Sequence, residues 1–155
     1  MNVMSQQLKS IYNFLQLSDS IATAGQPTTQ QLSDIKAAGY DVVVNLALPT
    51  STNAITNEQQ IVENLGMKYV HIPVIWEKPT LEDLERFFAV MEENADKNVF
   101  VHCAMNMRVS AFMYLYRIIH EQTNIEAAQQ DLYQIWQPHE TWQQFIEKVI
   151  AHYHK

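Results

Sequence analysis

Residues 99–110 read VFVHCAMNMRVS, and this stretch decides the fold. Its first three residues are apolar and β-branched or aromatic, which predicts a buried strand that ends near His102. Small or turn-tolerant residues follow, and apolar side chains then recur at helical spacing, which predicts a helix over residues 107–121. A fully apolar strand that leads directly into a helix is typical of a parallel sheet covered on both faces.

The rest of the chain alternates between short β-rich runs and helical periodicity. We predict further strands at residues 20–24, 41–48 and 67–74, and helices at residues 29–38, 57–65, 81–96, 125–136 and 140–152, after a first helix that carries Leu8, Ile11, Tyr12 and Leu15. Strands that alternate with helices imply a single α/β domain over residues 1–155. Its architecture should be a three-layer sandwich, in which helices flank a central, mostly parallel sheet of about four or five strands.

The composition is that of a soluble globular protein, with 47% hydrophobic residues, 17% charged residues and a net charge of −7. Nucleic acids and anionic membranes are bound through clustered lysine and arginine, so the absence of any basic run in the sequence argues against both partners. Residues 1–17 lack the apolar core of a signal peptide, and no run approaches the roughly 20 apolar residues of a membrane span. We therefore expect a cytoplasmic protein, although a leader removed before residue 1 would leave no trace.

Cys103 is the only cysteine, so the chain cannot form an internal disulfide. Its predicted place at a strand end, facing the N-terminus of the next helix, surrounds it with unpaired backbone N–H groups and the positive end of the helix dipole. Both favour a thiolate, and the same N–H groups would bind an oxyanion such as phosphate. Cys103 could instead be a small buried hydrophobic residue. The strand, turn and helix around it favour a nucleophile.

The loop after the strand carries a recognisable motif. His102 and Cys103, followed by Arg108 and Ser110, resemble the His-Cys-(five residues)-Arg-Ser/Thr loop of protein-tyrosine and dual-specificity phosphatases. The resemblance implies a dual-specificity-phosphatase-like fold and hydrolysis of phosphate monoesters through a phosphocysteine intermediate.

Three upstream motifs make the resemblance narrower. They are AGQP at residues 24–27, NL at residues 45–46 and YVHIPV at residues 69–74. In this order they resemble a bacterial branch of the superfamily, the phosphatase-like domain that is also found joined to a β-lactamase-like hydrolase. The resemblance covers residues 18–119.

The arginine of the motif is one position early. The family places it six positions after the cysteine, where this chain has Val109, whereas Arg108 comes five positions after Cys103. Either the loop has lost one residue and Arg108 serves as the family arginine, or nothing is lost and Val109 replaces it. In the second interpretation Asn106 stands where glycine is usual and Ser110 keeps its spacing. Asparagine tolerates positive φ, which favours the second interpretation.

The second interpretation has a catalytic consequence. A shift of one residue along a helix rotates the side chain by about 100° around the helix axis. Arg108 would therefore not form the bidentate hydrogen bonds to phosphate that the family arginine forms. Catalysis would then be weak or absent.

The resemblance implies roles for the loop residues. Cys103 attacks phosphorus, Ser110 hydrogen-bonds the sulfur, and His102 orients the loop through bonds to the backbone. Gln26 and Asn45 would organise the pocket rim. The residues that we predict to bind phosphate are Gln26, Trp76, His102, Ala104, Met105, Asn106, Met107, Arg108 and Val109.

The acid that protonates the leaving oxygen should follow the strand at residues 67–74. Glu77 is the first candidate because the loop that carries it would lie beside the phosphate. Glu82 and Asp83 are further candidates, although carboxylates at a helix N-terminus are also explained by the helix dipole. The histidines lack any convincing metal spacing, so we predict neither a metal nor a cofactor.

The sequence is compatible with three functions. The leading one is a phosphatase that acts on a phosphorylated protein or a small phosphorylated molecule. The displaced arginine instead favours a phosphate- or sulfate-binding domain that is catalytically weak or inactive. The four residues between Cys103 and Arg108 fit the shorter loop of a rhodanese-like sulfurtransferase, but the upstream motifs do not. The oligomeric state is open.

Overall fold

The computed structural model describes residues 7–154, which form a five-stranded sheet with helices on both faces. The strands are β1 (Leu15–Gln16), β2 (Ile21–Ala24), β3 (Val42–Asn45), β4 (Lys68–His71) and β5 (Val99–His102). Their order across the sheet is β1-β2-β5-β3-β4. Only β1 pairs antiparallel with its neighbour in this sheet, and the other pairs are parallel. The predicted α/β fold with a mostly parallel sheet is confirmed.

Six α-helices occur within residues 7–154. They are α1 (Thr29–Ala37), α2 (Glu58–Asn64), α3 (Leu81–Glu93), α4 (Met107–Ile119), α5 (Ile125–Ile135) and α6 (Glu140–Tyr153). Thr28 starts α1 with a capping box, in which its hydroxyl accepts from the amide of Gln31 and the Gln31 side chain accepts from the amide of Thr28. The hydroxyl of Thr80 starts α3 by accepting from the amide of Asp83 at 3.1 Å.

Two apolar clusters fill the space between the sheet and the helices on its two faces. One cluster contains Val99 and Val101 of β5 together with buried residues of α3, α4, α5 and α6. The other contains Phe100 and buried residues of α1 and α2. Successive side chains of β5 therefore point into opposite clusters, and the whole strand is buried. This explains why its sequence is continuously apolar.

The predicted first helix is wrong. The structure has a 3-10 turn at Leu8–Ser10 and then the short strand β1. Leu8 and Ile11 are buried as the pattern required, but Asn13 has a φ of 52°, which a helix does not allow. Strand pairing of β1 with β2 stabilises this segment more than a helix of little more than two turns would.

The parallel strands end at one edge of the sheet. His102 is in register with Ala24 of β2 on one side and with Asn45 of β3 on the other. Because carboxyl ends of parallel strands meet at the same edge, the loops that follow these three residues lie together. None of the helices described in residues 7–154 is long and apolar enough to cross a membrane.

Candidate active site

The turn between β5 and α4 is held by Asn106. This residue has a φ of 66°, in the left-handed region that asparagine tolerates better than most residues. Its side-chain amide donates to the Asn13 carbonyl at 2.8 Å and to the Thr23 hydroxyl at 3.0 Å. The positive φ that the uninterrupted alignment of the loop requires is thus present. The two hydrogen bonds fix the turn to Asn13, which precedes β1, and to Thr23 in β2.

Residues from other parts of the chain donate hydrogen bonds to the carbonyl groups of the turn. The Ala104 carbonyl accepts from the Gln26 amide and from Asn53 Nδ2, both at 3.1 Å. The Met105 carbonyl accepts from Asn13 Nδ2 at 3.0 Å. In a planar trans peptide the N–H points away from the C=O, so the amide of Met105 points away from these partners.

Several amides at the start of α4 remain available to a ligand. Among the residues that the structure describes, the N–H groups of Ala104, Met105, Met107 and Arg108 donate to no protein acceptor. Unpaired N–H groups are a property of every helix N-terminus and favour negative charge there. The turn therefore presents donors suited to an oxyanion.

A cavity of about 220 Å³ opens beside the turn. It is lined by Trp76, Cys103, Ala104, Met105, Met107 and Arg108. All six residues belong to the predicted site. Cys103 is almost fully buried, and the cavity is the opening that this residue lines.

Arg108 is a buried cation in this cavity. It is 7% exposed, and its Nη1 donates to the carbonyl of Val74 at 2.8 Å. No carboxylate oxygen within residues 7–154 lies within 4.0 Å of the guanidinium. Burial of a charge is costly unless it is paired. An anion in the cavity would supply the missing partner.

Val109 is packed away from the cavity. Its side chain is fully buried in the cluster that α4 shares with β5. The side chain of Val109 thus faces the core, and phosphate binding by its backbone amide stays a prediction.

His102 and Gln26 lie behind the turn rather than in the cavity. His102 is fully buried, and its Nε2 lies 2.6 Å from Glu58 Oε2. Gln26 Nε2 donates to Glu58 Oε1 at 2.8 Å. Neither side chain lines the cavity, and contact of these residues with phosphate stays a prediction. The expected contact of His102 with the backbone is present, since its Nδ1 lies 3.3 Å from the Cys103 carbonyl.

Glu58 carries a charge inside the protein. Burial by itself raises the pKa of this carboxyl, but the charge of His102 and the hydrogen bonds from His102 and Gln26 outweigh burial. The net effect holds the pKa of Glu58 below its ordinary value of 4.5. The folded state thus favours ionised Glu58.

This shift predicts a pH-dependent stability. A carboxyl whose pKa is lower in the folded state stabilises the fold above its unfolded pKa, and the contribution is lost as the pH falls through the folded pKa. Glu58→Gln should cost about 1.5–3 kcal/mol in free energy of unfolding at pH 7. Urea titrations of both proteins from pH 7 to pH 3 should show the difference shrinking below pH 4.5. A difference that is constant with pH would contradict the assignment of the charge.

Ser110 does not contact the sulfur. Its hydroxyl donates to the Met107 carbonyl and accepts from Trp136 Nε1, both at 3.0 Å. In the described part of the chain, no hydrogen bond joins Ser110 to Cys103. A helical serine readily bonds a carbonyl of the preceding turn, and Trp136 fixes it there. The expected bond to the sulfur is not formed here, and the role of Ser110 in the reaction stays a prediction.

The predicted acid lies on the rim. Glu77 is exposed on the turn after Trp76 and is not among the residues that line the cavity. Glu82 and Asp83 lie in the first turn of α3, where they complement the helix dipole. Trp76 does line the cavity, and it packs on Trp136 and Trp142 at ring-centroid distances of 5.3 Å and 5.5 Å.

Comparison with known families decides the assignment. The family described as "DSP-PTPase phosphatase fused to NAD+ Kinase" matches residues 6–148 of the chain. The chain belongs to the cysteine-based tyrosine and dual-specificity phosphatase superfamily. The predicted superfamily is confirmed, while the narrower branch joined to a β-lactamase-like hydrolase stays a prediction. No curated protein matches the chain.

Solved structures agree with this assignment. A candidate phosphatase (DUF442) from Shewanella putrefaciens CN-32 has 39% sequence identity and a TM-score of 0.86, over 96% of this chain and 97% of that one. The core catalytic domain of the PP-IP phosphatase SIW14 from S. cerevisiae, in complex with citrate, has 15% identity and a TM-score of 0.72, over 92% of each chain. PTPMT1 in complex with PI(5)P has 11% identity and a TM-score of 0.76, over 91% of this chain and 96% of that one. The last two likenesses show the fold alone.

Gly25 sets the approach of β2 to the phosphatase loop. A Cβ atom at this position would lie 2.7 Å from Tyr12 Cδ2 and 2.8 Å from the Ala104 carbonyl oxygen. Gly25→Ala should therefore displace the loop and lower kcat/KM for an aryl phosphate by about 10-fold to 100-fold. Gly39→Ala is a matched control, because its φ of 102° strains the backbone but nothing lies within 4 Å of the new Cβ. Equal activity of both variants would contradict this role of Gly25.

Sequence reasoning missed three residues of this site. Asn13 and Asn53 hold the carbonyls of the turn, and Glu58 pairs with His102. Each contact spans more than 40 residues of chain. No local pattern marks Glu58 as buried, because an acidic residue in the first turn of a helix ordinarily faces solvent.

Proposed function

We propose that the chain hydrolyses phosphate monoesters, with Cys103 as the nucleophile. The observation that carries the proposal is the buried guanidinium of Arg108, which has no carboxylate partner within residues 7–154 and lines the same cavity as Cys103. A cation and a nucleophile that share a small cavity, with free backbone amides beside them, fit one tetrahedral oxyanion.

The proposed reaction has two steps. The Cys103 thiolate attacks phosphorus, an S–P bond forms, and the P–O bond to the leaving group breaks as its oxygen takes a proton. Water then attacks the phosphocysteine, which releases inorganic phosphate and restores the thiolate. Arg108 and the amides of Ala104 and Met105 stabilise the charge on the phosphoryl oxygens.

We propose Glu77 as the proton donor. It follows Trp76, a wall of the cavity, on an exposed turn. No carboxylate lines the cavity in the described residues, so Glu77 would have to move towards the leaving oxygen when substrate binds.

The substrate class follows from the small cavity and its single cation. We propose a phosphorylated small molecule or a phosphorylated side chain of a protein. Two proteins of similar fold support an anionic ligand, since SIW14 is in complex with citrate and PTPMT1 is in complex with PI(5)P. The nucleophile needs a reduced thiol, which fits the cytoplasm.

One set of contacts favours a second candidate, a phosphate-binding domain with little or no catalysis. Arg108 already donates to the Val74 carbonyl, and Ser110 is held by Met107 and Trp136. If these bonds persist with phosphate bound, two groups that the reaction needs would be occupied elsewhere.

The experiment is the hydrolysis of para-nitrophenyl phosphate by the full chain between pH 5 and pH 8, with inorganic phosphate and vanadate as inhibitors. We expect turnover that both anions inhibit competitively. Phosphate binding measured by calorimetry without turnover would replace the phosphatase by the binding domain. Cleavage of thiosulfate in the presence of cyanide, without phosphatase activity, would indicate a sulfurtransferase instead.

A further inference from the structure

We propose that Glu58 is a positioning residue for the Cys103 loop and acts through His102, an inference that rests on the phosphatase function proposed above. Glu58 is the first residue of α2 and yet only 3% exposed. A buried carboxylate is costly unless its oxygens are hydrogen-bonded. Its surroundings therefore indicate what it holds in place.

Both oxygens of Glu58 are used. Oε1 accepts from Gln26 Nε2 at 2.8 Å, and Oε2 lies 2.6 Å from His102 Nε2. An ionised carboxylate only accepts hydrogen bonds. His102 must therefore carry a proton on Nε2.

The other ring nitrogen of His102 also faces an acceptor. Its Nδ1 lies 3.3 Å from the carbonyl oxygen of Cys103. A neutral imidazole has one N–H, and only the imidazolium has two. Because both ring nitrogens face an acceptor oxygen, the geometry suits a His102 that donates to Glu58 and to the Cys103 carbonyl at once.

Two consequences reach the nucleophile. The Cys103 carbonyl points at His102, so the N–H of Ala104 in the same planar trans peptide points the other way, where an oxyanion can accept from it. The imidazolium also places a positive charge next to Cys103 in sequence, which favours the thiolate. Gln26 adds to this arrangement because its backbone amide holds the next carbonyl, that of Ala104.

Other titratable groups near Glu58 come from β4. Burial, assisted by the charge of Glu58, raises the pKa of Tyr69 to about 12. A hydrogen bond from Asn45 lowers this pKa by less than burial raises it, so Tyr69 stays neutral. His71 also favours ionised Glu58, and its Nε2 lies 2.7 Å from the carbonyl of Ala47. Tyr69 and His71 influence Glu58 through charge, and neither lies between His102 and Cys103 in the chain of hydrogen bonds.

The test compares Glu58→Gln with Glu63→Gln, an exposed glutamate on the same helix. One readout is the pH profile of kcat/KM for an aryl phosphate, and the other is the rate of Cys103 alkylation by iodoacetamide against pH. In Glu58→Gln the acidic limb of both profiles should move up by about one pH unit, and alkylation at pH 6 should slow by about 10-fold. Glu63→Gln should match the wild type.

Folded Glu58→Gln protein with unchanged profiles would overturn the proposal. Should this variant fail to fold, the ring ¹⁵N shifts of His102 in the wild type decide, and a neutral His102 at pH 7 would equally overturn it. Alkylation does not require turnover. A shifted alkylation profile in a protein without phosphatase activity would therefore reject the proposed function and retain the role of Glu58.

Discussion

The Cys103→Ser variant should lose hydrolysis of para-nitrophenyl phosphate by on the order of 10⁵-fold in kcat. A serine hydroxyl is far less acidic than a thiol and is a poor leaving group from phosphorus, so neither step of the proposed reaction proceeds. Steady-state assays of wild type and variant at equal concentration measure the loss. A residual rate within 10-fold of the wild type would contradict nucleophilic attack by Cys103.

The control for Cys103→Ser is a measurement of how tightly the variant binds inorganic phosphate. The replacement is nearly isosteric, and the amides of Ala104 and Met105, which we propose bind phosphate, belong to the backbone. Calorimetry should therefore give a Kd for inorganic phosphate within about threefold of the wild type, a change below 1 kcal/mol. Loss of binding together with turnover would show that the variant has lost the loop rather than the nucleophile.

Arg108→Met should lower kcat/KM by on the order of 10³-fold or more. The guanidinium is the only cation that lines the cavity within residues 7–154, so its loss leaves the phosphoryl charge to the backbone amides. Methionine fills similar space without a charge, so the fold should persist. Arg108→Lys should recover only a part of the activity, because an ammonium lacks the bidentate fork.

Arg86→Met serves as the control for Arg108→Met, since Arg86 is exposed on α3. It should keep wild-type kcat/KM. An Arg108→Met variant as active as Arg86→Met would indicate that Arg108 does not reach phosphate. That result would favour the interpretation in which Val109 has replaced the catalytic arginine.

Much of the fold could be predicted because its signals are local. The apolar run of β5, the turn at Asn106 and the periodicity of α4 are contiguous, and each dictates its own backbone geometry. The positive φ of Asn106 follows from residue chemistry alone. The prediction of the first helix was wrong because helical periodicity does not reveal that residues 15–16 pair with β2 across a short turn.

The site was less predictable than the fold. The cavity joins Trp76 to the loop as expected, but Ser110 is held by Trp136, which lies 26 residues further along the chain. The burial of Glu58 depends on Gln26 and His102, which flank it at distances of 32 and 44 residues. Such partners become visible only when the sheet brings the strand ends together.

The most direct measurement is acid-quenched, intact-mass analysis of the protein during turnover of para-nitrophenyl phosphate, followed by peptide mapping. Hydrolysis through Cys103 predicts a transient gain of one phosphoryl group on the peptide that contains Cys103, absent in Cys103→Ser. Turnover with no phosphorylated cysteine at any quench time, or with the phosphoryl group on another residue, would contradict the mechanism.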